Sequence, residues 1–247
     1  MNLPPRPTAP SILAMRSYGQ FCPVAVASQV FAERWTPIIL RELLSGSRRF
    51  NDIRNGMPLI SRSLLAQRLR ELEDAGVITS RPLPGGRGRD YQLTKAGEAL
   101  RDVVDRLGEW GQRWANWQFA PENLEVSLLM WAMKNGIAMD RLPDRRVVVR
   151  FDFRGVPARF RHQRTWWLVL QRGGVDLCYQ DPGHAVDLEI DADLVALGKV
   201  WTGHLTFAQA LRAGGVRIEG DRELARAFPG WLQLSPFAPF GRAGARA

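Results

Sequence analysis

Lysine is nearly absent from this 247-residue chain: only three of its 34 basic residues are lysine, so arginine carries almost all the positive charge. Cysteine is scarcer still. Cys22 and Cys178 are too few for a disulfide framework and fit a reducing cytoplasm. No apolar run approaches the ~20 residues that span a bilayer. The proline-rich start "MNLPPRPTAP" lacks a signal peptide's apolar core and is expected to be a disordered arm over residues 1–16. The three histidines, His162, His184 and His204, do not stand at metal-ligand spacings, and no cysteine or carboxylate cluster completes a zinc site. There is no GxSxG elbow and no Gly-Lys-Ser/Thr phosphate loop. These absences argue against an enzyme, a metal or cofactor protein and an integral membrane protein. No catalytic residue, metal or cofactor is therefore expected.

What is present is basic charge with ordinary apolar content. The net charge is +9 and the apolar fraction 45%. Residues 1–120 hold 17 basic and 11 acidic residues, net +6, and the remainder holds 17 and 14, net +3. A polyanionic partner fits the first half best. The pattern there is helix, helix, short helix, helix, strand, turn, strand, long helix. "TPIILRELLSG" has Thr36 as its expected N-cap, Pro37 at its first turn and Gly46 at its end. "VITSRPL" and "DYQLT" read as strands joined by "PGGRGR", and Thr94 opens a long helix, "KAGEALRDVVDRLGEWGQRWANWQ". Near Pro121 the texture changes to strands mixed with short helices, so an α+β second domain is expected over residues 121–235, with a flexible tail over 236–247.

The helix of residues 61–75, "SRSLLAQRLRELEDA", has Ser61 as its N-cap and separates into two faces. At 100° per residue from Arg62, Leu64, Leu65, Leu69 and Leu72 fall between about 200° and 340°, an apolar stripe. Arg62, Ser63, Ala66, Gln67 and Arg70 fall between about 0° and 140°. That face has no carboxylate before Glu73 and Asp74 in the last turn. Forked arginines, an amide and a small gap are what a major-groove reader needs: Arg bonds guanine edges, Gln adenine edges. Arg68 lies on the core side and reads as a structural ion-pair partner. Arg87 and Arg89 are expected at the glycine-rich hairpin tip, free of acids before Asp90. A solvated face packing on another protein remains the plain alternative for the helix alone. The cationic hairpin beside it favours DNA.

The run "CPVAVASQVFAERWTPIILRELLSGSRRFNDIRNGMPLISRSLLAQRLRELEDAGVI" and the hairpin after it resemble HxlR-type winged helix-turn-helix regulators, which are related to the MarR group. The resemblance implies a winged-helix domain over residues 17–120, with its recognition helix at 61–75 and wing at 83–91. It implies DNA contacts from Ser61, Arg62, Ser63, Gln67, Arg70, Arg87 and Arg89. It also implies a cytoplasmic homodimer on a pseudo-palindromic operator, with dimer contacts from the segment before Pro23 and from the long helix bearing Trp110, Trp114 and Trp117. Some members sense oxidants or electrophiles at the position of Cys22, whose plain alternative is a small buried residue at a helix start.

The second half is similar to sterol-carrier-protein-like domains, on the run from "TWWLVLQRGGVDLCYQD" through "VWTGHLTFAQALRAGGVRIEG". This implies an α+β fold with a mainly antiparallel sheet and an apolar cavity. Trp166, Trp167, Trp201 and Phe207 are the candidate lining for an apolar small-molecule effector; plain core is the alternative, and Trp166 and Trp167 must point to opposite strand faces. Asp187, Glu189, Asp191 and Asp193 read as structural carboxylates, one or two of them capping a helix. Two other classes stay open: a basic protein- or RNA-binding module, and an enzyme working through His184 or His204.

Overall fold

Helix α1 (Pro23–Phe31) has no buried residue, whereas α2 (Thr36–Leu44) buries Ile39, Leu40 and Leu43. The computed structural model describes residues 18–115 and 118–241, so the expected arm and Trp117 lie outside the described residues. Thr36 is not the cap of α2. Its N–H donates to the Glu33 carbonyl at 2.9 Å, closing a tight turn that puts Trp35 at φ 78°, and the Trp35 carbonyl accepts from Ile38 and Ile39. Trp35 is therefore the N-cap and Thr36 is a buried first helical residue.

After α3 (Phe50–Asn55) comes α4 (Arg62–Asp74). Ser61 caps α4 by accepting from the Leu64 N–H at 3.2 Å, a bond worth about 1 kcal/mol. Leu65, Leu69 and Leu72 are buried against Ile39, Leu40 and Ile53, while Leu64 is half-buried at the edge. Gly76, at φ 69°, ends the helix. Strands β1 (Ile78–Pro82) and β2 (Arg89–Leu93) pair antiparallel from Ile78↔Leu93 to Pro82↔Arg89. Their turn has Gly85, Gly86 and Gly88 at φ 88°, 72° and 99°, a backbone that side chains with a Cβ disfavour.

The single long helix expected from Lys95 is broken into α5 (Lys95–Glu98) and α6 (Arg101–Trp114). Thr94 accepts from the Gly97 N–H and donates to the Gly76 carbonyl at 2.7 Å. Gly97 sits so close to β1 that a Cβ there would lie 2.2 Å from the Val77 oxygen. The first turn is thus anchored at the hairpin root, and Val104 of α6 enters the first core.

The chain divides into two compact units, one ending at Asp105 and the second beginning at Arg106. The second contains α7 (Val126–Asn135), β3 (Val147–Arg154), β4 (Thr165–Gln171), β5 (Gly174–Cys178), β6 (Leu188–Asp193), α8 (Leu194–Trp201), α9 (Phe207–Arg212), β7 (Val216–Gly220) and α10 (Arg222–Trp231). The sheet order is β5-β4-β3-β6-β7; β3 and β6 are parallel and the other pairs antiparallel. The mainly antiparallel α+β architecture expected from the sequence is present. One sheet face puts Val149, Phe151, Phe153, Leu168 and Ile190 into a core with Met130, Leu197 and Phe228. Asp193 caps α8 and Asp221 caps α10, while Thr206 and Gln209 form a reciprocal capping box on α9. The tail expected from 236 is not loose at its start. Residues Ala238–Gly241 form a helical turn, α11, with Ala238 buried, because Phe237 packs against Gly108 and Phe240 lies 4.9 Å under Arg113.

Candidate nucleic-acid interface

The exposed side of α4 is assembled by its cap and its apolar stripe. With Leu65, Leu69 and Leu72 held inward, Ser61, Arg62, Ser63, Gln67 and Arg70 are all exposed. Ser61 and Ser63 share a hydroxyl contact at 3.2 Å. Gln67 donates one N–H to Glu71 at 2.9 Å, which leaves its second N–H and its carbonyl oxygen for a base. Arg62 and Arg70 form no ion pair among the described residues. Arg68 does the opposite: it is buried and paired with Glu33 at 2.7 Å and with Glu71, which ties α4 to the turn after α1.

The wing candidates separate. Arg87 is exposed in the glycine turn without an ion pair among the described residues. Arg89 is not at the tip. It belongs to β2 opposite Pro82, and its Nε donates to the Ser80 hydroxyl at 2.6 Å while Nη2 stands 3.5 Å from Glu73. Glu73 also accepts from the Ser80 N–H at 3.1 Å and the Ser80 hydroxyl at 2.7 Å. The end of α4 is thereby fastened to the root of the hairpin, and Arg89 is part of the fastening. Nearby, burial pushes the Tyr91 phenol up, against the opposing pull of Arg89.

The stretch just before α3 adds an isolated bridge to the edge of β2, which no sequence pattern announced. Arg49 bridges Asp90, and the Tyr91 N–H donates to the Arg48 carbonyl at 2.9 Å. Arg48 and Arg49 are exposed, as is Arg81 opposite Asp90. The adjacent "RR" ahead of Phe50 is visible in the sequence, but an isolated bridge has no alternating pattern to detect.

Cys22 is exposed, which removes its reading as a small buried residue. It stands just ahead of α1, and the Ala25 and Val24 N–H groups lower its thiol pKa. Phe21 beside it is fully exposed. On α6, Val103, Leu107, Trp110 and Trp114 form an exposed apolar line at spacings of four, three and four.

In the second unit, Trp166 and Trp167 do point to opposite faces. Trp166 is buried in the core, donating from Nε1 to the Gln163 carbonyl at 2.8 Å. Trp167 lies on the other face beside Arg150 and Cys178. Trp201 and Phe207 pack at the core edge, Phe207 edge-on to Phe228 at 6.2 Å. Asp187 accepts from Arg145 and from the Val148 N–H; Glu189 and Asp191 pair with Arg150 and Arg154. His184 accepts from Arg146 at 3.0 Å; His204 meets Thr202 and the edge of Phe119, and burial, then Lys199, lowers its pKa. No group of three metal-ligating side chains occurs among the described residues, and no helix among them is long and apolar enough to cross a membrane.

Short helices followed by a capped helix with one exposed face and a two-stranded, glycine-tipped hairpin define a winged helix-turn-helix. The chain belongs to the HxlR-like helix-turn-helix family, matched over residues 30–119. Residues 132–233 match the SCP-2 sterol transfer family. The chain is 33% identical over 102 residues to the HTH-type transcriptional regulator YvaP of Bacillus subtilis, which covers 40% of this chain and 94% of that protein. It is 33% identical to the HTH-type transcriptional regulator YodB of the same organism, over 37% of this chain and 84% of YodB. A structure of the redox regulator HypR in its reduced form aligns with TM-score 0.37 and 29% identity, over 38% of this chain and 95% of that one.

Proposed function

We propose that the protein is a sequence-specific DNA-binding transcriptional regulator that works in the cytoplasm as a homodimer on a pseudo-palindromic operator. The observation that carries this reading is the exposed α4 face, where Arg62 and Arg70 form no ion pair among the described residues and stand beside Ser61, Ser63 and Gln67. Arg62 and Arg70 read guanine edges, and Arg87 holds the phosphate backbone. Arg89 adds charge near the wing while fixing its angle through Ser80 and Glu73. Exposed apolar side chains at Phe21 and Val24, and the α6 line of Leu107, Trp110 and Trp114, support dimer contacts from both segments. Two-fold symmetry then sets half-sites about 34–36 Å apart, or a multiple of that.

Binding to duplexes with single base changes tests the reading. Arg62→Ala and Arg70→Ala each lose about 1–3 kcal/mol of discrimination. Arg87→Ala weakens all duplexes alike and reduces the salt slope by about 0.9. Unchanged operator affinity in all three variants sinks the assignment. Control by an apolar small molecule rests on Trp201 and Phe207 at the edge of the second core, and requires a ligand that binds two states unequally. Quenching of tryptophan emission by such a ligand, with a matching change in operator affinity, is the expected result.

A second reading, sensing of oxidants or electrophiles at Cys22, is favoured by its exposure and by the two N–H groups that stabilise its thiolate. Cys178 provides the contrast, since burial and then Asp176 raise its thiol pKa. A lowered pKa keeps the thiolate populated at lower pH, so alkylation of Cys22 should persist at pH values where Cys178 is silent. Single Cys→Ser variants separate the two profiles, and coincident profiles remove the basis for a sensing role.

A further inference from the structure

The loop between β3 and β4 is the most one-signed segment of the second unit. From Phe153 through Val175 the sequence has five arginines and no aspartate or glutamate. Two of the five are neutralised from outside the segment: Arg154 by Asp191 and Arg172 by Asp144. Arg159, Arg161 and Arg164 are not. All three are exposed, and none has a carboxylate within ion-pair reach among the described residues. His162 is exposed between them.

Their backbone is fixed. Residues Ala158–Gln163 form a short helical turn, the Phe160 N–H donates to the Pro157 carbonyl at 2.9 Å, and the Phe153 N–H donates to the Arg164 carbonyl at 2.8 Å. The Gln163 carbonyl accepts the buried Trp166 indole. Arg159 lies 4.7 Å over the Phe160 ring and gives one N–H to the Glu122 carbonyl; Arg164 gives its Nε to the Phe153 carbonyl at 3.3 Å. The loop thus holds three guanidinium groups on an ordered turn with most of their donors unused.

We propose that Arg159, Arg161 and Arg164 form a second anionic-polymer site that contacts the phosphate backbone of DNA. Planar forked donors suit phosphate oxygens, and clustering them without acids is unfavourable until a polyanion arrives. The turn has no fully exposed large apolar side chain, since Phe160 is half-buried under Arg159, so it lacks the wedge with which a surface enters a bilayer. Tethering to a DNA-binding head raises the local concentration of duplex, so weak contacts suffice. This inference rests on the DNA-binding reading above, but predicts contacts outside the winged helix that carry no base preference.

The test is equilibrium binding of the full chain to its operator duplex and to an unrelated duplex across a salt series. The triple variant R159A/R161A/R164A should lower the slope of log affinity against log salt by about 2–3 on both duplexes, with the ratio between them kept. Arg161→Glu, at a side chain with no partner among the described residues, guards against a folding artefact and should lower the slope by at least about 1. Slopes equal to wild type overturn the proposal. So does an unchanged DNA slope accompanied by loss of binding to phosphatidylserine vesicles, which assigns the loop to a membrane surface. If wild type binds both duplexes equally, the operator-reading proposal fails while the slope difference still decides the role of the loop. If it binds neither, both fall.

Discussion

The exposed face of α4 and the solvent face of the five-stranded sheet both display arginines, but they treat them differently. On the sheet, Arg150 stands between Asp152 at 2.8 Å and Glu189 at 3.4 Å, and Arg154 faces Asp191. These are cross-strand or same-strand neighbours of opposite sign, an arrangement that stabilises the sheet by about 0.2–1 kcal/mol per pair. On α4, Arg62 and Arg70 form no ion pair among the described residues: Glu71 is taken by Arg68 and Gln67, Glu73 by Ser80 and Arg89, and the exposed Asp74, one turn beyond Arg70, pairs with neither arginine among them. Charge that is satisfied within the chain belongs to the fold. Charge left unsatisfied on an ordered surface belongs to a partner. The tryptophans divide in the same way, with Trp166 and Trp231 inside the second core and Trp110 and Trp114 on the α6 surface.

The largest expected effect tests the aromatic half of that contrast. Phe228 is fully buried, edge-on to Phe151, Phe207 and Trp231. Phe228→Ala should destabilise the second unit by about 3–5 kcal/mol in denaturant unfolding. Trp110→Ala should change monomer stability by less than about 0.5 kcal/mol while weakening self-association in sedimentation. Similar unfolding losses in both variants would erase the distinction between packed and partner-facing tryptophans.

The next effect tests the fastening of wing to helix. Glu73→Ala strips the acceptor from the Ser80 N–H, the Ser80 hydroxyl and Arg89, leaving a part-buried donor unsatisfied. A loss of about 1–3 kcal/mol is expected, with faster amide exchange at Ser80. Glu73→Gln keeps a carbonyl acceptor and should fall between. If exchange at Ser80 is unchanged in Glu73→Ala, the wing is held by the β1–β2 ladder alone, and Arg89 returns to the DNA-contact set without a positioning duty.

How much of this was legible in the sequence follows from the range of the interactions involved. The Ser61 cap, the Gly76 stop, the α4 stripe and the strand VRIEG are local patterns, and each matches an element. Arg68 could be set aside because its angle placed it with the leucines. The failures are non-local. The anchoring of α5 depends on Gly97 lying against Val77, and the role of Arg89 depends on Glu73, sixteen residues away. Thr36 carried a strong cap signal, but the turn from Glu33 had already placed Trp35 in that role. The Arg49 bridge was invisible because a single long-range pairing to Asp90 leaves no local pattern. The unpaired arginines at 159, 161 and 164 were countable all along, but only the structure separates them from Arg154 and Arg172, which have acids opposite.

The smallest effects bear most directly on the charge contrast, because they are opposite in kind. Arg150→Ala removes two exposed pairs and should cost the second unit only about 0.2–1 kcal/mol, falling further in high salt. Its effect on operator discrimination should be nil, since its partners are Asp152 and Glu189. Arg62→Ala removes no pair among the described residues, so its unfolding midpoint should match wild type, yet it should relax base preference. Measuring stability and discrimination for both variants gives a two-by-two comparison in which each arginine moves one readout. An Arg62→Ala variant that loses stability and keeps its base preference would make the α4 face an ordinary solvated helix surface, and the unpaired charge there would no longer mark a partner.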